Sequence, residues 1–183
     1  MNEKEIKKIS KFLSLLLRHQ PSLIGLELDE NGWADIEELI NKSKKKKKHF
    51  SKQDLEKIVA ENDKQRFSFN KEKTKIRANQ GHSIKTVDLQ LKAIAPPEHL
   101  YHGTVIKFMT SIRENGLQKM SRQHVHLSKD KDTAVKVGSR RGVPIILTIQ
   151  SGAMFREGYE FFKSENGVWL TNNVPAAFID FKE

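Results

Sequence analysis

Cysteine is absent from the 183-residue sequence, and so are long apolar runs. Without cysteine the chain can form neither a disulfide framework nor a thiolate metal site. No apolar stretch approaches the roughly 18–20 residues that a membrane-spanning helix requires. The first ten residues, MNEKEIKKIS, lack the apolar core and the small-residue cleavage site of a secretory signal. We therefore expect a cytoplasmic protein that makes no use of a membrane.

Acidic residues are in the minority, and the formal net charge is +10. Residues 1–93 contain 21 basic and 14 acidic residues, a net charge of +7, and residues 94–183 contain 12 and 9, a net charge of +3. Clustered lysines and arginines attract phosphates and release counterions. A polyanion is therefore expected to bind the first half. The densest run, Lys44–Lys48, is more simply interpreted as a solvated loop between two helices, and we assign it no site.

The first half of the sequence predicts three short helices followed by a two-stranded ribbon. Apolar residues recur at helical spacing from Ile6 to Leu17, and Gln20-Pro21 ends that pattern. Trp33, Ile36, Leu39 and Ile40 predict a second helix, and Ser51 with Asp54 resembles a capping box that begins a third. Phe67 and Phe69, with Ile76 to Ala78 beyond a turn, predict the ribbon. Helices followed by such a ribbon favour a winged-helix lobe.

The second half has a different pattern, and Ala95-Pro96-Pro97 marks the change, because two prolines cannot extend a helix or a central strand. We expect one lobe over residues 1–94 and another over 95–183. Extended runs are predicted at Leu100–His102, Val125–Leu127, Pro144–Ile149, Val168–Leu170 and Ala177–Phe181, and helices at Lys107–Asn115 and Asp130–Val137. The predicted class is α+β, with a small mixed α/β second lobe.

Several segments carry more polar function than a core or a plain surface requires. Arg18-His19, at the end of the first helix, could clamp a phosphate, although complementing the helix dipole explains the pair equally simply. Arg66 precedes the ribbon, where a solvent-facing arginine is commonplace. Asn79, Gln80 and Ser83 surround Gly81, which permits a close backbone approach to a ligand or merely a capped turn.

The second half contains three further polar segments. His102-Gly103-Thr104 suits a ligand with a ribose and an amide, and Ser139-Arg140 belongs to a glycine-flanked basic loop suited to a pyrophosphate. His124 and His126 share a strand face by their period of two, which would also fit a metal pair, but no third ligand is evident. Neither the dinucleotide-fold fingerprint nor the Walker lysine pattern is present.

In order along the chain, eight segments resemble those of the RNA 2′-phosphotransferase family: SKFLSLLLRH, GWADIEELI, DKQRFSF, IRANQGHS, LYHGT, RQHVHLS, VGSRRG and ENGVWLT. The resemblance implies an N-terminal winged-helix lobe that binds RNA and a C-terminal ADP-ribosyltransferase-like lobe that binds NAD. It also implies a catalytic tetrad, which corresponds here to Arg18, His19, Arg66 and Arg122, with Arg140 as an alternative fourth member. The implied NAD contacts are His102, Gly103, Thr104, His126, Ser139 and Arg140.

The resemblance implies a two-step reaction. An RNA 2′-phosphate, as left at a tRNA splice junction, attacks C1″ of NAD and expels nicotinamide, which gives a phospho-ADP-ribosylated RNA. The ribose O2″ then attacks the phosphorus and releases RNA with a 2′-hydroxyl and ADP-ribose 1″,2″-cyclic phosphate. Mono-ADP-ribosyltransferases usually carry a glutamate where this sequence has Val168. We expect a monomer that requires no metal and serves tRNA splicing or RNA repair. An ADP-ribosyltransferase acting on protein or on nucleic-acid phosphate ends remains the alternative.

Overall fold

A computed structural model describes residues 2–62 and 64–181, and the chain divides into two compact units, Met1–Gln90 and Leu91–Glu183. Each unit contains helices and antiparallel strands, which confirms the α+β class. The division falls after Gln90, whereas the proline pair placed it between residues 94 and 95. No helix in the described part of the chain combines the length and apolar composition of a membrane span.

The first unit contains three helices and three short strands. Their bounds are α1 Glu3–Arg18, β1 Ala34–Asp35, α2 Ile36–Lys44, α3 Lys52–Ala60, β2 Phe67–Phe69 and β3 Lys75–Ala78, with a 3₁₀ turn at Pro21–Ile24. The strands form one antiparallel sheet in the order β1-β3-β2. The apolar stripe of α1 packs in a core that includes Leu13, Leu16, Leu55 and Ile76.

Local sequence signals account for the helix limits in this unit. Asn2 and Glu5 form a capping box at the start of α1, and Ser51 and Asp54 form the predicted one at the start of α3. The second helix was predicted to include Trp33, which was wrong, because α2 begins at Ile36. Asp35 is the N-cap of α2, because its carboxylate accepts from the Glu38 N–H, and Ala34–Asp35 instead pairs with β3 as a strand.

The second unit contains the remaining helices and strands. They are β4 Leu100–Thr104, α4 Met109–Asn115, β5 Leu117–Gln118, β6 Val125–Leu127, α5 Lys131–Gly138, β7 Ile145–Ile149, α6 Ser151–Arg156, β8 Phe161–Lys163, β9 Trp169–Thr171, β10 Asn173–Val174 and β11 Ile179–Asp180. Three antiparallel groups result, in the orders β11-β7-β4, β6-β9-β8 and β10-β5. The predicted extended run Ala177–Phe181 was wrong at its start, because Ala176–Phe178 is a 3₁₀ turn.

A reciprocal backbone bridge connects β4 with the residue that follows β6. The Tyr101 N–H donates to the Ser128 carbonyl (2.9 Å), and the Ser128 N–H donates to the Tyr101 carbonyl (2.7 Å). Strand β4 also pairs with β7 along its whole length. The bridge therefore brings the histidine of β4 next to the histidine of β6.

Candidate active-site clusters

The end of α1 is bonded to the segment that follows β3. The Ser83 N–H donates to the carbonyl of Arg18 (2.9 Å), and the Ser83 hydroxyl lies 3.0 Å from Nδ1 of His19. Arg18 is half-buried and His19 is exposed. The serine contact restrains the rotation of the imidazole ring. Two of the predicted catalytic residues are thus held in place by a segment about 65 residues further along the chain.

His82 lies beside this pair and is fully buried. Its pKa is lowered from 6.5 to about 4, first by burial and then by the positive charges of Arg18, His19 and Arg77. Within residues 2–62 and 64–181 neither ring nitrogen of His82 has a hydrogen-bond partner. His82 is therefore an uncharged polar group beneath a cluster of cations at neutral pH.

Arg77 is the further cation of this cluster. It lies on β3 opposite Ser68, and its guanidinium carbon is 4.5 Å from the centroid of the Trp33 ring. A guanidinium cation over an indole face is a favourable contact, and it holds the Arg77 side chain next to the Trp33 ring. We call Arg18, His19, Arg77, His82 and Ser83 the Arg18 cluster.

Arg66 immediately precedes β2 and is half-buried, and it contacts Asn62, two residues after the end of α3. Its Nη1 donates to Oδ1 of Asn62 (3.3 Å), and Nδ2 of Asn62 donates to the Ser10 hydroxyl of α1 (3.3 Å). Asn62 therefore connects Arg66 to the helix that carries Arg18. Asp63, which belongs to the same predicted segment, lies outside the described residues.

The second unit brings together three of the residues predicted there. Nδ1 of His102 lies 3.1 Å from the carbonyl of His126, and Nη1 of Arg122 lies 3.4 Å from Nδ1 of His126. Burial lowers the pKa of His102 below its ordinary value, while the His126 carbonyl raises it and the charges of Arg141 and Arg122 lower it. His102, Arg122, His126 and Arg141 are called the His102 cluster below.

Arg141 is the loop arginine that acts on this cluster. Arg122 is an exposed residue, but burial of its guanidinium group and the charge of Arg141 lower its pKa below the ordinary value. The guanidinium of Arg141 also lies 5.6 Å from the ring centroid of Phe108. Arg140, the residue that we predicted, is exposed on the same 3₁₀ turn, Ser139–Arg141.

Close packing of a helix against β4 requires glycine at position 103. A Cβ atom at this position would lie 1.9 Å from the carbonyl oxygen of Ala134 and 2.9 Å from the N of Gly138, so α5 can cross β4 only where no side chain projects. Thr104 is buried at the end of β4, and the Ser139 hydroxyl donates to the Val135 carbonyl within α5. These three predicted contacts lie around one helix–strand crossing.

The histidine pair at β6 makes two different contacts. The His124 ring lies 5.5 Å from the ring of Phe162, whereas His126 contacts Arg122. Burial, followed by the charge of Lys119, lowers the pKa of His124. Among the residues that the structure describes, no three histidine, aspartate or glutamate side chains form a group that could hold a metal ion.

A cavity of about 260 Å³ lies next to Arg141. It is lined by Val105, Ile106, Lys107, Arg141, Gly142, Val143 and Ile145. This cavity could not be predicted from sequence, because its walls are a 3₁₀ turn and a loop that are about 35 residues apart. Arg77, His82 and Arg141 were each inside a segment that we singled out, but period and spacing could not say which members of the segment contact the predicted site residues.

Comparison with known proteins yields one family. The family described as "RNA 2′-phosphotransferase, Tpt1 / KptA family" matches residues 4–173. A protein of Flavobacterium johnsoniae is 64% identical over 182 residues, which cover 100% of both chains. One of Fusobacterium nucleatum is 54% identical over 175 residues, covering 95% of this chain and 97% of the relative, and one of Streptomyces griseus is 50% identical over 186 residues, covering 98% of each. All three are named "Probable RNA 2′-phosphotransferase".

The match extends across both units and includes every residue of the two clusters. An alignment of this length and identity shows common descent, so the earlier resemblance is confirmed. The chain belongs to the RNA 2′-phosphotransferase, Tpt1 / KptA family.

Proposed function

We propose that this protein removes an internal 2′-phosphate from RNA by transferring it to NAD. The products are RNA with a 2′-hydroxyl, nicotinamide and ADP-ribose 1″,2″-cyclic phosphate, formed through a phospho-ADP-ribosylated RNA. A tRNA splice junction or a repaired RNA is the substrate class. The observation that carries the proposal is the Arg18-His19 pair, bonded to Ser83 and placed beside the neutral His82.

The Arg18 cluster suits a phosphate dianion. Arginine donates in a planar fork that matches phosphate oxygens, and a nearby histidine adds a third donor when it is protonated. Because His82 is uncharged, it can lie against Arg18 and Arg77 without adding a further buried charge. The phosphate is already an anion, so it needs placement and charge stabilisation and no base to activate it.

The second unit supports NAD as the acceptor. His102 is an uncharged imidazole at neutral pH, Arg141 adds positive charge for a pyrophosphate beside Arg122, and the cavity beside Arg141 is mostly apolar. A volume of about 260 Å³ is enough for part of a dinucleotide and too small for the whole of it. Bound NAD would supply the C1″ carbon that accepts the phosphate and the nicotinamide leaving group.

Val168 fits phosphate chemistry better than a glutamate would. It is half-buried immediately before β9, and its backbone pairs with Ser164 in the hairpin that joins β8 to β9. A carboxylate in that place would repel a phosphate nucleophile, whereas an uncharged side chain does not. This difference favours a phosphate transferase over an ADP-ribosyltransferase that modifies protein.

The arrangement of helices and strands in each unit also supports this proposal. Three helices and the antiparallel sheet β1-β3-β2 support a winged-helix, RNA-binding lobe over residues 1–94. The antiparallel groups around β4 and β9 support an ADP-ribosyltransferase-like lobe over residues 95–183. We propose Arg18, His19, Arg66 and Arg122 as the catalytic residues, and His102, Gly103, Thr104, His126, Ser139 and Arg140 as contacts to NAD. We propose no metal requirement.

The test uses an RNA with one internal 2′-phosphate that carries the radiolabel. In the presence of NAD we expect the label to move into a cyclic phosphate of ADP-ribose, and we expect no transfer without NAD. An Arg18→Ala chain is the inactive control. Label that remains on the RNA in every condition would contradict the proposal, and label that accumulates as a stable ADP-ribosylated RNA would indicate the alternative activity.

The same assay also shows in which of the two reaction steps each proposed catalytic residue acts. Arg18→Ala and Arg66→Ala should impair the first step, because these arginines place the nucleophile. Alanine at His19 or Arg122 should instead let the ADP-ribosylated RNA accumulate if these two act mainly in the second step. Rapid conversion to the final product by the His19 and Arg122 variants would refute that division.

A further inference from the structure

The first half of α1 carries a row of lysines on its solvent-facing side, and Arg18 follows about two turns after the last of them. Lys4, Lys7, Lys8 and Lys11 are all exposed, and we call them the α1 lysine face. Because a helix repeats every 3.6 residues, positions 4, 7, 11 and 18 fall on one stripe along its axis. The only carboxylates of α1, on Glu3 and Glu5, lie in its first turn. Positive charge therefore extends along the helix toward the Arg18 cluster.

These lysines differ in their surroundings from three other lysines of the same unit. Lys57, Lys73 and Lys75 lie 3.8, 3.6 and 3.1 Å from the carboxylates of Glu61, Glu56 and Asp29. In the part of the chain that the structure describes, none of the four lysines of the α1 lysine face has a carboxylate within 4.0 Å. Their charge is not neutralised locally, so it is available to an external anion.

The lysine-rich loop after α2 lies beside this face. Nζ of Lys48 is 5.9 Å from the centroid of the Phe12 ring, and Phe12 adjoins Lys11 on α1. Lys45, Lys46 and Lys47 are exposed in the same loop. The Lys48 contact places the loop against α1. From sequence alone this loop was interpreted as a solvated connection, whereas in the structure it belongs to one basic surface with α1.

We propose that the α1 lysine face and Lys45–Lys47 bind the sugar-phosphate backbone of the RNA on one side of the 2′-phosphorylated nucleotide. The proposal rests on the proposed function, because it names where that substrate extends. From Lys4 to Arg18 the helix rises about 21 Å, at about 1.5 Å per residue. That length matches about six nucleotides of a stacked strand at about 3.4 Å each. Backbone contacts of this kind position the substrate and carry no sequence information.

The test compares three triple variants that each remove three positive charges. They are K4Q/K7Q/K11Q on the helix, K45Q/K46Q/K47Q in the loop, and the control K57Q/K73Q/K75Q, whose lysines are paired with carboxylates. Fluorescent RNAs of three and of about twelve nucleotides, each with one internal 2′-phosphate, are titrated between about 50 and 200 mM salt. Two longer RNAs are used: one extends on the 5′ side of the 2′-phosphorylated nucleotide, and the other extends on its 3′ side.

We expect the helix and loop variants to bind one of the longer RNAs more weakly than the control does, and to bind the short RNA like the unmodified protein. Three lost phosphate contacts lower the magnitude of the slope of log affinity against log salt concentration by about 2 for a single strand. Between about 50 and 200 mM salt, the variants should therefore lose about 20-fold less affinity than the unmodified protein does. Either variant binding the longer RNAs with the salt slope of the control would overturn the proposal. So would a loss of binding to anionic phospholipid vesicles with RNA binding unchanged.

Binding is measured without turnover, and cleavage of the 2′-phosphate from the short RNA is measured separately. If the short RNA is not processed by any of the proteins, the proposed function fails, and the binding surface can still be judged. If the short RNA is processed equally by all of them while the longer RNAs show no difference in binding, only the proposal of this surface fails.

Discussion

The Ser83 hydroxyl lies 3.0 Å from Nδ1 of His19, and the Ser83 N–H donates to the carbonyl of Arg18. One residue thus fixes both the end of α1 and the imidazole that follows it. A contact across 64 positions in sequence defines the local geometry of the candidate site.

Ser83→Ala should lower kcat about 3- to 10-fold with little change in KM, because one hydrogen bond of about 1 kcal/mol orients the His19 ring. Ser83→Thr, which keeps the hydroxyl, should recover most of the rate. Steady-state kinetics on the 2′-phosphorylated RNA across pH will measure this, and Ser22→Ala, at an exposed serine near His19, serves as the control.

A double-mutant cycle shows whether Ser83 acts through His19. In a His19→Asn background, removal of the Ser83 hydroxyl should have almost no further effect. Equal effects in both backgrounds would assign Ser83 a purely structural role.

His82 should make the first unit less stable in acid. Its pKa is about 4 in the folded chain and 6.5 in the unfolded chain, so the unfolded state binds the proton more tightly and stability falls as the pH drops through this window. Between pH 7 and pH 5 the loss should be about 2 kcal/mol. His82→Asn should reduce this pH dependence, while His49→Asn, at an exposed histidine, should not.

The tryptophans allow the first unit to be followed by itself. Only Trp33 and Trp169 occur in the sequence, and a Trp169→Phe background leaves Trp33 as the reporter in urea unfolding. A pH dependence that is the same with and without His82 would show that the buried imidazole does not cause it.

Gly103→Ala should destabilise the second unit by about 3 kcal/mol or more, because the new Cβ meets the backbone oxygen of Ala134 and no rotamer change can relieve the contact. Gly158→Ala is the control. It also adds a methyl group, with no atom beyond its chain neighbours within 4 Å, and the backbone strain of a side chain at its φ of 92° should cost less than the clash at position 103. Thermal unfolding followed by Trp169 fluorescence in a Trp33→Phe background will compare them. Equal losses in the two variants would mean that close packing is not what selects glycine at position 103.

Arg141→Gln should raise KM for NAD about 3- to 10-fold, as expected for one lost charge-assisted hydrogen bond of about 1 kcal/mol, while Arg140→Gln should have a smaller effect. The reason is that Arg141 acts electrostatically on both His102 and Arg122. Initial rates at varied NAD concentration will separate the two arginines. A larger effect of Arg140→Gln would return the role to the residue that the sequence indicated.

The features that could be predicted from sequence are those that depend on neighbours along the chain. The capping box of Ser51 and Asp54 and the stop at Gln20-Pro21 are local signals, and both helix limits were confirmed. Strand β1 could not be predicted, because two residues carry no periodicity and their pairing with β3 is tertiary. For the same reason Trp33 was placed in a helix, whereas its ring stacks with Arg77.

The candidate site shows the same limit. Arg18, His19 and Arg122 were named from the resemblance of short segments to the RNA 2′-phosphotransferase family, and their roles stay predictions. The neighbours of these residues, His82, Ser83 and Arg141, depend on which distant segments the fold brings together. Spacing within a single 3₁₀ turn such as Ser139–Arg141 cannot decide which arginine acts on His102, since the sequence does not show where so short a turn begins.

The reciprocal bridge between Tyr101 and Ser128 has a thermodynamic consequence. Tyr101 and Ser128 exchange their backbone hydrogen bonds with each other, and β4 pairs with β7 on its other side, so separating β4 from the end of β6 is one cooperative opening that exposes both amides. The amide protons of Tyr101 and Ser128 should therefore exchange with solvent at one common rate, slower than those of β5 and β10. His102 lies inside that cooperative block, so an amino-acid change far along either group can alter how firmly this histidine is held.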